Sequence, residues 1–391
     1  MTKEVRRRSG TGAQHTTFTG APAEVTVDTT DNRLVVHDGV TAGGHPVAKE
    51  SEITSATAGI ANKLPKDGSE AMSGNLDLNG NNLVDVGNIN GGPMGGYRNK
   101  IINGDFDIWQ RATSFSSVGS STYDADRSTQ NRDGSGATIN ITREDFTLGQ
   151  TDVPGNPKYY RRFAQTVAGS GGTYGNCYIQ NIEGVNTLAG KTITLTFYAK
   201  APVGTVSTTP NMAQVFGSGG SPSSPVYTAG SGVSLTTSWQ KISQIFTIPS
   251  IASKTLGTDG NDFLQVYISA PLNAVQTIDI AHVSLVEGDA TNEDDPFSPR
   301  HIGQELALCQ RYYQTIPGIS TPVRSVDATW RIGERGYPVV MRTTPTFTVG
   351  SYNGGGTPIS VATSSYFLTA ATGVTSSAAS GANSITLDAE L

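Results

Sequence analysis

The carboxylates are the residues whose types and spacing come closest to chemistry. Glycoside cleavage needs two carboxyl groups held roughly 5–10 Å apart, and Asp124/Asp126, Glu144/Asp145 and Asp259/Asp262 are neighbours in sequence. Turn acids are the simpler expectation for all three pairs. Asp289, Glu293, Asp294 and Asp295 supply the oxygen ligands that Ca²⁺ takes, but read equally as a solvated acidic linker. His37 and His45 lack a cysteine or third ligand at metal-site spacing, and are expected in turns or at an interface. Cys177 and Cys309 fall in different predicted elements, a strand and a helix, and read as small buried apolar residues. The clusters Gly169-Ser170-Gly171-Gly172 and Gly217-Ser218-Gly219-Gly220 precede no helix that could present its N-terminus to a phosphate. There is no HExxH, GxSxG, P-loop, strand–GxGxxG–helix or EF-hand loop. A chain without catalytic residues, metal or cofactor is expected.

What must position such residues is a β-protein. Only 15% of the residues are charged and 46 of 391 are glycine, against averages of about 25% and 7%. Ser, Thr and Asn fill the remainder, which suits tight turns and a hydroxylated neutral surface. The formal charge of −6 gives no basic face for nucleic acid. Lys3, Arg6, Arg7 and Arg8 form either a solvated arm or an anchor onto an acidic partner. No apolar run of about 18 residues and no signal-peptide core follows Arg8, so neither membrane insertion nor Sec export is expected.

Read in order, residues 1–49 form a small β-domain: Glu24–Asp28 and Arg33–His37 alternate around the turn Thr29-Thr30-Asp31-Asn32. Residues 50–96 are a neck and shaft. Ile53, Ile60 and Leu64 give a short helix seam that needs neighbours to be stable, as in a coiled coil. Met72, Leu76, Leu78, Leu83, Val86 and Ile89 then punctuate Asn/Gly turns. Residues 97–299 hold alternating strands at 137–143, 159–167, 177–182, 192–199, 241–248, 263–269 and 277–286, which suggests a two-sheet jelly roll. The turn-rich stretch 202–236 reads as an insertion carrying Phe216 and Tyr227 on a flexible frame. Residues 300–316 are a junction helix with Ile302, Leu306, Cys309 and Tyr313 on one stripe, stopped by Pro317-Gly318. Residues 317–391 form a β-tip whose aromatics include Trp330, Tyr337, Tyr352, Tyr366 and Phe367.

Three stretches resemble bacteriophage tail-fibre and receptor-binding proteins. DTTDNRLVVHDGVTAGG resembles the N-terminal β-domain of tropism-determinant proteins. MSGNLDLNGN and the strand Asn103-Gly104-Asp105-Phe106-Asp107-Ile108-Trp109-Gln110-Arg111 resemble fibre shafts and the sandwiches that follow them. Pro296-Phe297-Ser298-Pro299-Arg300 with Ile302–Tyr313 resembles a recurrent tail-fibre phrase. The order TITLTFYAKA, Trp239, IDIAHVSLVEG resembles carbohydrate-binding-module-like sandwiches, in which Trp239 would be core. The resemblance implies an elongated homotrimer in the virion tail, made in the host cytoplasm. Its N-terminal domain would dock on a tail or baseplate protein, and the protein would attach to host polysaccharide or lipopolysaccharide. Trp330, Tyr337, Tyr352, Tyr366 and Tyr227 are the expected receptor-binding aromatics, stacking on sugar rings. The alternatives are a tailspike-like depolymerase and a purely structural tail or baseplate component.

Overall fold

The computed structural model describes residues 7–61, 88–89, 92–93, 98–172, 174–321, 329–349, 357–372 and 380–391. The chain divides into two units, Met1–Val84 and Asp85–Leu391. Most of the expected shaft sequence lies outside the described residues, as does Tyr352.

The first unit contains β1 (Ser9–Gly10), α1 (Gly12–His15), β2 (Val25–Asp28), β3 (Arg33–Val36), β4 (His45–Pro46) and α2 (Glu50–Ala61). The four strands form one sheet in that order. Hairpin β2–β3 turns where the sequence predicts: Asp28 Oδ1 accepts from the Thr30 and Asp31 amides, and Asn32 takes the left-handed φ of 51°. One sheet face is closed by α1 through polar bonds, with Thr26 Oγ1 lying 2.8 Å from His15 Nε2 and 2.9 Å from His37 Nε2. His37 is therefore buried structure, whereas His45 sits exposed against Asp38. The other face carries Leu34 and Val36 exposed, and Val35 is the one buried apolar side chain among the described residues of this unit.

The second unit begins with the short pair β5 (Asn88–Ile89) and β6 (Gly92–Pro93), then β7 (Ser114–Phe115), β8 (Thr129–Arg132), β9 (Thr138–Asp145), β10 (Tyr159–Val167) and β11 (Tyr174–Glu183). It continues with β12 (Thr192–Lys200), β13 (Val206–Val215), β14 (Val226–Ala229), β15 (Val233–Leu235), β16 (Gln240–Thr247), β17 (Phe263–Pro271) and β18 (Gln276–Glu287). Two six-stranded sheets result. One has the order β16-β12-β18-β10-β9-β7; the other runs β14-β13-β17-β11-β8, with β15 also on β13. Alternation puts Ile193, Leu195 and Phe197 of the first sheet against Leu264, Val266 and Ile268 of the second in one shared core. Each such side chain contributes about 1.5–3 kcal/mol on burial.

Two expectations are corrected here. The stretch 202–236 is more than an insertion: β13 lies inside the second sheet and Phe216 is buried. Trp239 is not in the core between the sheets. It lies half-buried outside the first sheet, against Phe146 and Tyr160 at 5.2 and 5.3 Å. Cys177 and Cys309 are free and buried, as expected.

After the sandwich come α3 (Ile302–Gln310), β19 (Tyr313–Thr321), β20 (Thr329–Gly336), β21 (Thr346–Val349), β22 (Thr357–Ala362), β23 (Tyr366–Thr372) and β24 (Ser380–Asp388). They make two three-stranded sheets, β19-β24-β21 and β20-β23-β22. The helix is shorter than predicted: Pro317-Gly318 lies within β19 and does not stop the helix. Its apolar stripe is only partly used. Cys309 and Tyr313 are buried, but Ile302 is 53% and Leu306 36% exposed. The face turned to the sandwich carries Glu305 instead, which accepts from the Asn103 amide and from Arg300. A backbone N–H needing an acceptor outcompetes the two aliphatic side chains for that position.

Candidate functional site

Two regions gather the polar and aromatic side chains that could form a site. The first is the root of the helix, where the two phrases singled out in the sequence meet. Asn103 spans its own turn by accepting from the Ile108 amide at 3.0 Å and donating to Ile108 and Asp126 carbonyls. Gly104 lies so close to the Val283 carbonyl that a Cβ there would stand 2.1 Å from its oxygen. Asp105 bonds His282 Nδ1 at 2.6 Å, and Asp295 approaches Nε2 at 3.1 Å, with Phe297 stacked on the ring at 3.9 Å. Arg300 closes the junction on the Ile101 carbonyl and Glu305.

Of the four acids read as a solvated linker, Asp289 and Asp294 are exposed, while Glu293 and Asp295 are joints. Asp295 grips His282, and Glu293 bonds Arg98 at 2.6 Å. Of the candidate carboxylates, Asp124 is paired with Arg161, Asp126 with Gln110 and Asp262 with the Val185 amide. Among the described residues no group of three His, Cys, Asp or Glu side chains could hold a metal.

Burial alone would depress His282, but its bonds to Asp105 and Asp295 outweigh that and raise it to about 9. A histidine raised in this way stabilises the fold fully below its ordinary pKa of 6.5, and the contribution is lost as pH rises through 9. Unfolding free energy is thus expected to fall by about 3 kcal/mol between these values. A His282→Gln variant should show a flatter profile in urea titrations across the same range.

The second region is the outward face of the second sheet. Its register sets Tyr227, Ala213, Gln265 and Asn181 side by side in one row. The next row is Ala229, Asn211, Tyr267 and Ile179, and the third is Thr209, Ser269, Asn176 and Asn131. No Lys, Arg, Asp or Glu occupies these positions. Tyr227 is 70% exposed at the sheet edge, while Gln265, Tyr267 and Ser269 are half-buried in the middle. Such a face offers aromatic surface and amide groups without charge, the chemistry that meets a sugar's C–H face and its hydroxyls.

Of the expected aromatics, Tyr227 lies on this face. Tyr337 packs against the tip cluster of Ile316, Met341, Ile385 and Leu387, and burial pushes its hydroxyl up to about 12. Tyr366 is half-buried at the start of β23. Trp330 lies in β20. The amide positions Asn131, Asn176, Asn211 and Gln265 were missed by sequence reasoning. Only Gln265 carries a local signal, in Phe263–Ser269, where each outward position between core residues is uncharged.

Comparison with known proteins fixes the first unit. Residues 5–41 match the family of the Major tropism determinant N-terminal domain. That stretch is similar to the domain named; the match extends over these residues alone. Over 56 residues the chain is 55% identical to the tail fiber receptor-binding protein of Bordetella phage BPP-1, covering 14% of this chain and 15% of that relative. The chain therefore spans only a small part of the length of the curated relative it matches. A solved structure of the Major Tropism Determinant P3c Variant is 62% identical, covers 12% of each chain and has a TM-score of 0.12. The CBM22-1 xylan-binding domain from Paenibacillus barcinonensis is 12% identical, covering 46% of this chain and 94% of that domain with a TM-score of 0.28. The matched stretch comprises β1 to β3 with α1, including the β2–β3 turn.

Proposed function

We propose that this chain is a phage tail-fibre protein that attaches the virion to saccharide on the host cell surface. The observation that carries the reading is the 55% identity over 56 residues to a tail fiber receptor-binding protein. The N-terminal domain docks on a tail or baseplate protein, and the Asp85–Leu391 unit faces the host. The neutral amide and tyrosine face supports a glycan as the host ligand.

A homotrimer is part of the same proposal. A unit with Val35 as its single buried apolar side chain among the described residues, and with Leu34, Val36 and Val47 exposed, lacks a core of its own. Sister copies would supply it, and three weak sites would then act together through avidity. Light scattering should give about three times the 40.9 kDa chain mass; a monomer would contradict the assembly.

The attachment reading predicts that purified protein, added before the phage, slows adsorption to host cells in proportion to its own binding. Normal adsorption with no protein on the cells would leave a structural tail component as the better account.

A further inference from the structure

We infer that the outward face of the β14-β13-β17-β11-β8 sheet is a binding site for a neutral saccharide, read by an amide network whose bond directions are fixed. The inference rests on the attachment reading above and gives it a location.

The Thr209 carbonyl accepts from Asn211 Nδ2 at 2.8 Å. A carbonyl can only accept, so the Asn211 amide cannot be turned over. The same nitrogen donates to Ser269 Oγ at 3.3 Å, and the Ser269 hydroxyl donates to Asn176 Oδ1 at 2.7 Å. Asn176 must then donate from Nδ2 to Asn131 Oδ1, at 2.7 Å.

A second chain starts from the main-chain oxygen of Leu391, which accepts from Asn181 Nδ2 at 2.9 Å. Asn181 Oδ1 is left to accept from Gln265 Nε2 at 3.0 Å. Among the described residues the two chains leave three amide atoms without a protein partner: Asn211 Oδ1, Gln265 Oε1 and Asn131 Nδ2. None is among the fully buried atoms that lack a partner, although Asn211 as a residue is only 7% exposed.

The face thus presents two fixed acceptors and one fixed donor around the half-buried ring of Tyr267, with Tyr227 standing exposed at its edge. Sugar hydroxyls both donate and accept, so they can complete such a pattern while an apolar ring face lies on tyrosine. Because the donors and acceptors are already held, little side-chain entropy is lost on binding. An anionic saccharide would find no cation on these rows to pair with, and the ligand is therefore uncharged.

The test uses the full chain on an array of immobilised neutral oligosaccharides, among them glucans, galactans and mannans, beside carboxylated and phosphorylated ones. Host-cell binding is measured in parallel. Wild type should be retained by a subset of the neutral spots. Tyr227→Ala, Gln265→Ala and Asn131→Asp should each weaken retention roughly tenfold, the scale of one lost ring contact or net hydrogen bond. Leu148→Ser, on the fully exposed loop between β9 and β10, should not. Retention unchanged in the three variants, or retention by acidic spots alone, overturns the site. Cell binding without any array binding also overturns it and leaves attachment standing. Absence of both overturns the site and the attachment reading together.

Discussion

Replacing Asp124 by alanine is expected to lower the unfolding free energy of the sandwich by about 3–5 kcal/mol. Its partner Arg161 points from β10 into the interior, with 0% of the arginine side chain and 1% of the aspartate exposed. The pair is bidentate, Nε to Oδ1 at 2.6 Å and a terminal nitrogen to Oδ2 at 2.7 Å, and the other terminal nitrogen donates to the Cys177 carbonyl. Asp124 also accepts from the Ala125 amide and the Ser128 hydroxyl. Removing the carboxylate strands a guanidinium that neither water nor another acid can reach. The double variant Asp124→Leu/Arg161→Met removes both charges and should recover much of the loss, since an apolar pair carries no desolvation penalty. Urea titrations of the three proteins decide it; a single variant within 1 kcal/mol of wild type would show that water reaches the pair.

Glu390→Ala is expected to have a loss of similar size, about 3–5 kcal/mol, at the other buried ion cluster. Glu390 is held by Arg127, whose side chain is only 1% exposed, and by Arg111 at 3.2 Å. Arg127 lies 3.5 Å above the Tyr312 ring and Arg111 3.6 Å above Tyr313, so the carboxylate neutralises two cations already desolvated by aromatic stacking. The same segment is fastened by Tyr123 and Asn181 to the Leu391 oxygen, and by Arg342 to the Ala389 and Glu390 carbonyls. The first sign should be faster hydrogen exchange in β24 and β19, ahead of any change in the sandwich core. Unchanged protection there would mean that the strand pairing alone fastens these residues. The Asn181 amide would lose its orientation as well, so Gln265 should become free to turn.

Much of the sandwich was legible because its strands alternate. Thr192–Lys200 and Phe263–Ser269 place apolar side chains at every second position, and both are strands facing one core. β13 was not legible, because Pro210 argues against a strand. The structure shows why it is tolerated. The Pro210 carbonyl accepts from Gly230, so its missing N–H faces the same side, where the partner chain leaves the ladder between β14 and β15. The orientation of α3 was misread because a 3.6-residue stripe finds the apolar side, while Glu305 and the Asn103 amide decided which side docks. Glu293 and Asp295 looked solvated because their partners, Arg98 and His282, stand far away in sequence. For the candidate site, Tyr227 could be noticed as an aromatic in a polar stretch. The amide chain could not, since Asn131, Asn176, Asn211 and Ser269 come together only through the register of four strands.

Attachment to host glycan is tested most directly by measuring binding of the intact protein to host cells before and after periodate oxidation of their surface sugars. A parallel sample is treated with protease. The proposed attachment predicts that periodate lowers the bound fraction tenfold or more and that protease leaves it unchanged. Binding that survives periodate and disappears with protease would contradict it, and would make the receptor a protein.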